Sequence, residues 1–202
     1  MRDPAVVEAL WRITEFGDAA FVIPPVCGAI VALWIAGQRQ NARALALAFA
    51  LCLGGTVVAK ILLMVLYRGG PLRSPSGHTA ISAFVYGAVA LLVWKWRPAG
   101  ALRYAFAAAC AALVVAIAVS RFEIGGHSRT ETAFGLAFGA AALAFLEQRF
   151  DWSNRARTRP ALALAAGSAV VLAAYFVLAP GYFDEELIAA FAHWLRGFAA
   201  RA

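Results

Sequence analysis

Three short fragments of the sequence carry residue types that can take part in catalysis. They are Lys60 with Arg68, the tetrapeptide Pro75-Ser76-Gly77-His78, and Ser120-Arg121 followed by His127 and Glu131. Lysine and arginine offer fixed positive charge to phosphate oxygens, and arginine can bind two of them at once. One histidine can attack phosphorus while a second protonates the leaving oxygen. Together these residue types indicate phosphoryl transfer.

The spacing within the fragments adds to this interpretation. Ser76-Gly77-His78 falls where an apolar helix is predicted to begin, so backbone N–H groups there point outward and favour an anion. Gly77 has no side chain to hold a phosphate away from that backbone. Glu131 follows His127 by four residues, so the two side chains share a helix face if the next helix begins near them. A carboxylate beside an imidazole fixes its tautomer and stabilises its protonated form.

Structural roles compete with catalytic ones for several polar residues. The Lys60 side chain is long enough to reach the membrane interface without binding phosphate. Ser76 is also a typical helix cap, and a cap can bind phosphate as well. Asp18, near the outer end of the first apolar stretch, is interpreted as a cap and not as a site residue. Gly135 and Gly139 form a G-x-x-x-G pattern that predicts close helix packing.

The fragments resemble the signature of the type 2 phosphatidic acid phosphatase superfamily, a group of membrane lipid phosphatases. That signature reads K-x6-R-P, then P-S-G-H, then S-R-x5-H-x3-D. Residues 75–78 match the second part in full, and residues 120–131 match the third part in spacing, with Glu131 in place of aspartate. The tetrapeptide alone would be a weak match, but the two parts together, set between apolar runs, are specific.

The resemblance implies a role for each matched residue. His127 would be the nucleophile that forms a phosphohistidine intermediate, Glu131 would orient it, and His78 would be the general acid. The phosphoryl oxygens would be held by a set of cationic and hydrogen-bonding groups, namely Lys60, Arg68, Arg121, Ser76 and the Gly77 backbone. The family works without a metal ion, so the resemblance implies neither a metal nor another cofactor.

Two positions depart from the signature. Seven residues separate Lys60 from Arg68, where the signature has six, and no proline follows Arg68. On a continuous helix, one extra residue rotates the second side chain by ~100°. Either the helix bulges or ends before Arg68, or Arg73 takes its place. The second departure is Glu131, whose longer side chain can still reach a ring nitrogen from a more distant backbone.

The composition predicts the elements that must hold these residues. Of the 202 residues, 63% are hydrophobic and 14% are charged. An average soluble domain has about 45–50% apolar and about 25% charged residues, so an integral membrane protein is indicated. The net charge of +7 does not indicate nucleic-acid binding, because the basic residues lie between apolar runs. Lysine and arginine in such positions mark membrane topology.

We expect an all-α membrane protein with a single domain over residues 1–202. A spanning helix needs about 20 mostly apolar residues. Six stretches qualify, and they lie at about 19–36, 44–66, 78–94, 102–120, 132–147 and 161–179. Pro24-Pro25 predicts a kink or a break in the first of them. The terminal segments 1–17 and 181–202 are predicted to form amphipathic helices on the membrane surface.

The charges between the apolar stretches predict an orientation. Loops 37–43, 95–103 and 148–160 carry arginine or lysine, so they are expected in the cytoplasm. Loops 67–77 and 121–131 then lie on the opposite side, where they hold most of the candidate residues. The site is therefore expected at the extracytoplasmic face. The alanine- and arginine-rich composition favours a bacterial inner membrane.

The expected activity is hydrolysis of a phosphate monoester or diphosphate on a lipid. Phosphatidic acid, phosphatidylglycerophosphate, a polyprenyl diphosphate and a phosphorylated lipid A are all compatible substrates. A lipid-to-lipid phosphotransferase would use the same phosphohistidine, and the sequence does not separate the two, because pocket shape chooses the acceptor. An anion transporter that uses intramembrane charge is the alternative from a different class.

Overall fold

The computed structural model describes residues 3–66, 74–96 and 99–153, and the regular secondary structure in these ranges is α-helical. The helices are α1 (Pro4–Glu15), α2 (Ala19–Ile35), α3 (Arg39–Leu66), α4 (Gly77–Trp96), α5 (Ala101–Glu123) and α6 (Arg129–Arg149). The expected all-α class is confirmed for this part of the chain. The first five predicted spans correspond to α2 through α6. The sixth, at 161–179, and the C-terminal amphipathic segment lie outside the described residues.

Within the described ranges, four helical stretches are long and apolar enough to cross a membrane. They are Pro4–Ile35, Arg39–Leu66, Gly77–Trp96 and Ala101–Glu123. Helix α6, which contains the predicted span 132–147, is not among them. The long apolar helices support an integral membrane protein, and the count of six spans stays a prediction.

Helix α2 continues through its two prolines. Of the two predicted effects of Pro24-Pro25, the break does not occur, because the helix runs from Ala19 to Ile35 without interruption, and the kink stays a prediction. Each proline removes one backbone hydrogen bond. Buried side chains on both sides of the pair, including Val22 and Val26, belong to the apolar core. This packing holds the helix together across the missing bonds.

The N-terminal helix, Pro4–Glu15, lies inside the predicted segment 1–17. Asp3 caps α1, because its Oδ1 accepts a hydrogen bond from Ala5 N at 2.9 Å, and Pro4 lies in the first turn. Helix α1 packs against α5. It is joined to α2 by a three-residue turn, here called the α1–α2 junction, which consists of Phe16, Gly17 and Asp18. The surface-lying orientation of α1 stays a prediction.

Side-chain contacts fix the relative directions of the helices. Phe49 in α3 packs against Phe84 in α4 with ring centroids 6.0 Å apart, and Cys52 Sγ lies 3.4 Å from Ala80 O. These two helices are therefore antiparallel. The start of α3 meets the end of α6, where Asp151 N donates to Asn41 Oδ1 at 2.7 Å. Helices α4 and α6 consequently run in the same direction, with their N-termini at one end of the bundle.

Two glycines let α4 and α6 approach each other closely. An added Cβ at Gly135 would collide with the Ser76 carbonyl oxygen, and one at Gly139 would collide with the carbonyl oxygen of Ala80. The packing role predicted for this G-x-x-x-G pair is confirmed. The contact places the second turn of α6 beside the start of α4, so α6 begins more than one turn beyond α4 at the same end of the bundle.

We expect Gly139→Ala to lower the thermal unfolding midpoint in detergent micelles, because the new methyl group forces the two helices apart. Overpacking of this kind costs about 1–3 kcal/mol. The matched control is Gly54→Ala in α3, where an added Cβ meets no described atom within 4 Å. Unfolding followed by circular dichroism gives both midpoints. Equal midpoints for the two variants would contradict the close contact between α4 and α6.

Candidate active site

The carboxylate of Glu131 ties together two segments that begin helices. Its Oε2 accepts a hydrogen bond from Ser128 N at 2.8 Å, and its Oε1 accepts one from Ser74 N at 2.8 Å. Ser128 Oγ in turn accepts from Glu131 N at 3.2 Å, which completes a capping box at the start of α6. Glu131 thus anchors the segment before α4 to the first turn of α6.

His127 lies beside this carboxylate but outside the helix. Its Nδ1 is 3.4 Å from Glu131 Oε2, and the two side chains are only 4% and 9% exposed. The two side chains meet as expected but not along one helix face, because Ser128 caps α6 and the helix starts at Arg129, after His127. Glu131 instead reaches back over the N-terminus. Contact through Nδ1 leaves Nε2 as the ring nitrogen turned away from Glu131.

A tight turn connects α5 to His127. Gly125 adopts a φ of +81°, a left-handed conformation that favours glycine. His127 N then donates to Arg121 O at 3.1 Å. The turn brings the His127 backbone against the last turn of α5.

Arg121 belongs to α5 and not to a loop. The predicted boundary at residue 120 is wrong, because α5 continues to Glu123 and only residues 124–128 connect it to α6. The Arg121 side chain is buried. Its Nη2 atom is 3.1 Å from the position that a Cβ on Gly126 would occupy, so glycine leaves the guanidinium room.

Ser76 and Gly77 form the entry to α4. Ser76 is fully buried, its N–H donates to Glu131 O at 3.0 Å, and its Oγ accepts from Thr79 Oγ1 at 2.9 Å. The same Oγ accepts from Thr79 N at 3.5 Å, so Ser76 caps α4 as the sequence predicts. No described atom lies within 4 Å of a Cβ added at Gly77, so the described part of the chain leaves this backbone open.

His78 has a carboxylate partner that sequence reasoning missed. Its Nε2 lies 3.3 Å from Asp18 Oδ2, with side-chain exposures of 16% and 33%. The predicted capping role of Asp18 is confirmed, because its Oδ1 accepts from Ala20 N at 2.7 Å. The carboxylate also interacts electrostatically with Arg121. Asp18 is distant from His78 in sequence, and only its position beside the first apolar stretch hinted at a shared membrane face.

Lys60 is buried in α3 at the same end of the bundle. It follows Cys52 by two helical turns, or ~12 Å at the usual rise. Ser76 precedes Ala80, the contact of Cys52, by about one turn of the antiparallel α4. Lys60 therefore lies at the level of the α4 N-terminus or just beyond it.

The structure thus brings most of the predicted site residues to one end of the bundle. The described members are Lys60, Ser76, Gly77, His78, Arg121, His127 and Glu131. Arg68 and Arg73 lie outside the described residues, so the choice between them stays a prediction. Helix α3 is regular from Lys60 to Leu66, and it contains no bulge over that stretch.

Among the described residues, no three His, Cys, Asp or Glu side chains group closely enough to hold a metal ion. Comparison with protein-family models, curated proteins and solved structures found no match. The case for function therefore depends on the geometry and the motifs of this chain.

We expect Glu131→Gln to destabilise the protein. The side-chain NH2 group of glutamine would replace one carboxylate oxygen, and the backbone N–H of Ser74 or Ser128 would lose its acceptor. A buried unsatisfied donor costs about 1–3 kcal/mol. The matched control is Glu147→Gln, which changes a half-exposed glutamate at the other end of α6. Thermal unfolding in detergent measures both. A Glu131→Gln protein as stable as the control would mean that the two N–H contacts contribute little.

Proposed function

We propose that this chain is a membrane lipid phosphatase of the type 2 phosphatidic acid phosphatase kind. The observation that carries the proposal is the buried His127–Glu131 pair, 3.4 Å apart, beside the N-terminus of α4, with the guanidinium of Arg121 against the neighbouring Gly126. A second imidazole, His78, stands on the first turn of that helix. Two imidazoles and fixed cations at the ends of apolar helices suit a phosphorylated lipid.

In the first step, His127 Nε2 attacks phosphorus in line with the leaving oxygen. The N–P bond forms as the P–O bond breaks, and the electron pair of that bond stays on the leaving oxygen. His78 donates its proton to this oxygen. The imidazole of His127 becomes positively charged, and Glu131 at Nδ1 stabilises it electrostatically.

In the second step, a water molecule attacks the phosphohistidine. Neutral His78 takes a proton from the water, the new P–O bond forms, and the P–N bond breaks with its electrons returning to Nε2. Inorganic phosphate leaves and both imidazoles regain their starting states. A lipid hydroxyl in place of water would give the phosphotransferase reaction, so the products distinguish the two activities.

The negative charge of the phosphoryl group is balanced by residues from three helices. Arg121 from α5 and Lys60 from α3 supply positive charge. The Gly77 backbone at the start of α4 adds an outward N–H and the positive end of the helix dipole. Arg68 or Arg73 would add a further cation. This set needs no metal ion, and the proposal includes no cofactor.

The helix surfaces near the site favour a lipid as the carrier of the phosphate. Val58 and Leu62 on α3 and Val115 on α5 are more than half exposed, and they lie on the outward faces of the helices that carry the buried Lys60 and Arg121. Acyl or prenyl chains can lie along these surfaces while the head group enters between the helices. We place the site on the extracytoplasmic face of a bacterial inner membrane, following the charges of the connecting loops.

The test is phosphate release from a panel of lipid phosphates in detergent with EDTA present. We expect the wild type to release phosphate from at least one lipid, and His127→Ala to lower turnover by at least ~10³-fold, because the nucleophile is lost. Vanadate, a pentacoordinate phosphate mimic, should inhibit. The matched control is His193→Ala, which removes the one histidine outside the signature.

Three outcomes would contradict the proposal or redirect it. A His127→Ala variant that turns over as fast as the wild type would exclude His127 as the nucleophile. A doubly phosphorylated lipid without free phosphate would identify a phosphotransferase. Anion flux into vesicles that survives the loss of His127, with no phosphate release by the wild type, would indicate a transporter.

A further inference from the structure

The proposed function leaves one carboxylate near the reacting groups without a role. Asp18 is not part of the three-fragment signature, and its Oδ1 is already engaged with Ala20 N. Its Oδ2 lies 3.3 Å from His78 Nε2. We propose that Asp18 is the positioning residue of His78, holding Nε2 so that Nδ1 faces the leaving oxygen. This inference rests on the proposed function.

The α1–α2 junction is held where Asp18 can fulfil this role. Tyr86 OH donates to Phe16 O at 2.8 Å, which ties the junction to α4 two turns beyond His78. A Cβ on Gly17 would lie 3.0 Å from His78 O and 2.9 Å from Ile117 Cγ2. Glycine therefore lets the junction pack directly against the backbone that carries His78. Contacts of the junction with α4 and α5 therefore fix the position of Asp18 relative to His78.

The pairing assigns a proton to each nitrogen of His78. Nε2–H donates to the Asp18 carboxylate, and Nδ1–H is the proton given to the leaving oxygen in the first step. The neutral imidazole that remains keeps its proton on Nε2, so Nδ1 has a lone pair for the proton of the attacking water. Asp18 stabilises the protonated imidazole and selects the neutral tautomer that both steps need.

Asp18→Asn changes this arrangement with little effect on the helix cap. Asparagine caps helices about as well as aspartate. If its Oδ1 keeps the bond from Ala20 N, its Nδ2 takes the place of Oδ2 and donates to His78 Nε2. His78 is then held with its proton on Nδ1, and the protonated imidazole loses its counter-charge. Asp18→Ser also keeps a capping oxygen but removes the partner of Nε2.

The kinetic test compares leaving groups. A lipid alcohol needs a proton to leave, whereas 4-nitrophenolate does not. We therefore expect Asp18→Asn and Asp18→Ser to lower kcat/KM for the lipid phosphate by ~10²-fold or more, and for 4-nitrophenyl phosphate by less than ~5-fold. A merely structural defect would lower both equally. In a His78→Gln background, Asp18→Asn should cause no further loss.

The control for capping is Asp3→Asn. Asp3 caps α1 through the same contact, from Ala5 N at 2.9 Å, but is remote from the candidate site. We expect wild-type values of kcat/KM for both substrates. A leaving-group effect in this variant as large as that of Asp18→Asn would assign the effect to helix capping and overturn the inference.

A spectroscopic test needs no turnover. The chain has three histidines, so ¹⁵N-histidine labelling in detergent micelles gives few signals, and His78→Gln identifies the one that matters. At alkaline pH the wild type should carry its His78 proton on Nε2, and Asp18→Asn should move it to Nδ1. A wild-type His78 protonated on Nδ1 overturns the inference whatever the variants do.

The two proposals fail in different ways. If the wild type releases no phosphate from any lipid, the proposed function fails, and the tautomer alone decides whether Asp18 orients His78. If the wild type is active but the two substrates respond equally to Asp18→Asn, the inference fails and the proposed function stands.

Discussion

The buried carboxylate of Glu131 is the constraint on which the rest of this site depends. A carboxylate in apolar surroundings is costly unless hydrogen bonds satisfy its oxygens. Ser74 N and Ser128 N each donate to one oxygen at 2.8 Å, and His127 Nδ1 lies 3.4 Å from Oε2. Because these groups come from two separate segments, one side chain fixes the segment before α4, the start of α6 and the imidazole between α5 and α6.

The direction of the helices explains why this constraint suits the anion site that we propose. Helices α4 and α6 run in parallel, and their glycine contacts place the second turn of α6 beside the N-terminus of α4. The two positive helix ends therefore lie at the same end of the bundle, with that of α6 more than one turn beyond that of α4. The Ser76 N–H bond to Glu131 O, 3.0 Å long, joins the two termini directly. Arg121 and Lys60 add formal charge to a region that the backbone already makes favourable for phosphate.

Local sequence predicted the residues of the site better than their connections. Fragments of a few residues identified His78, Arg121, His127 and Glu131, and hydropathy located the helices, because both signals are local. The end of α5 and the position of His127 outside α6 depend on a capping box and a glycine turn that override the apolar pattern. Asp18 could not be assigned from the sequence, since its contact with His78 exists only after the α1–α2 junction packs against α4.

The two imidazoles differ in ways that fit the roles we propose for them. His127 uses Nδ1 for its carboxylate and is 4% exposed, whereas His78 uses Nε2 and is 16% exposed. A nucleophile keeps one orientation throughout the reaction, so a deeply buried partner from the first turn of the following helix suits it. An acid that becomes a base must exchange protons with water and with the leaving group, so a more open pair suits His78. That its partner comes from the α1–α2 junction gives the N-terminal helices a part in the proposed chemistry.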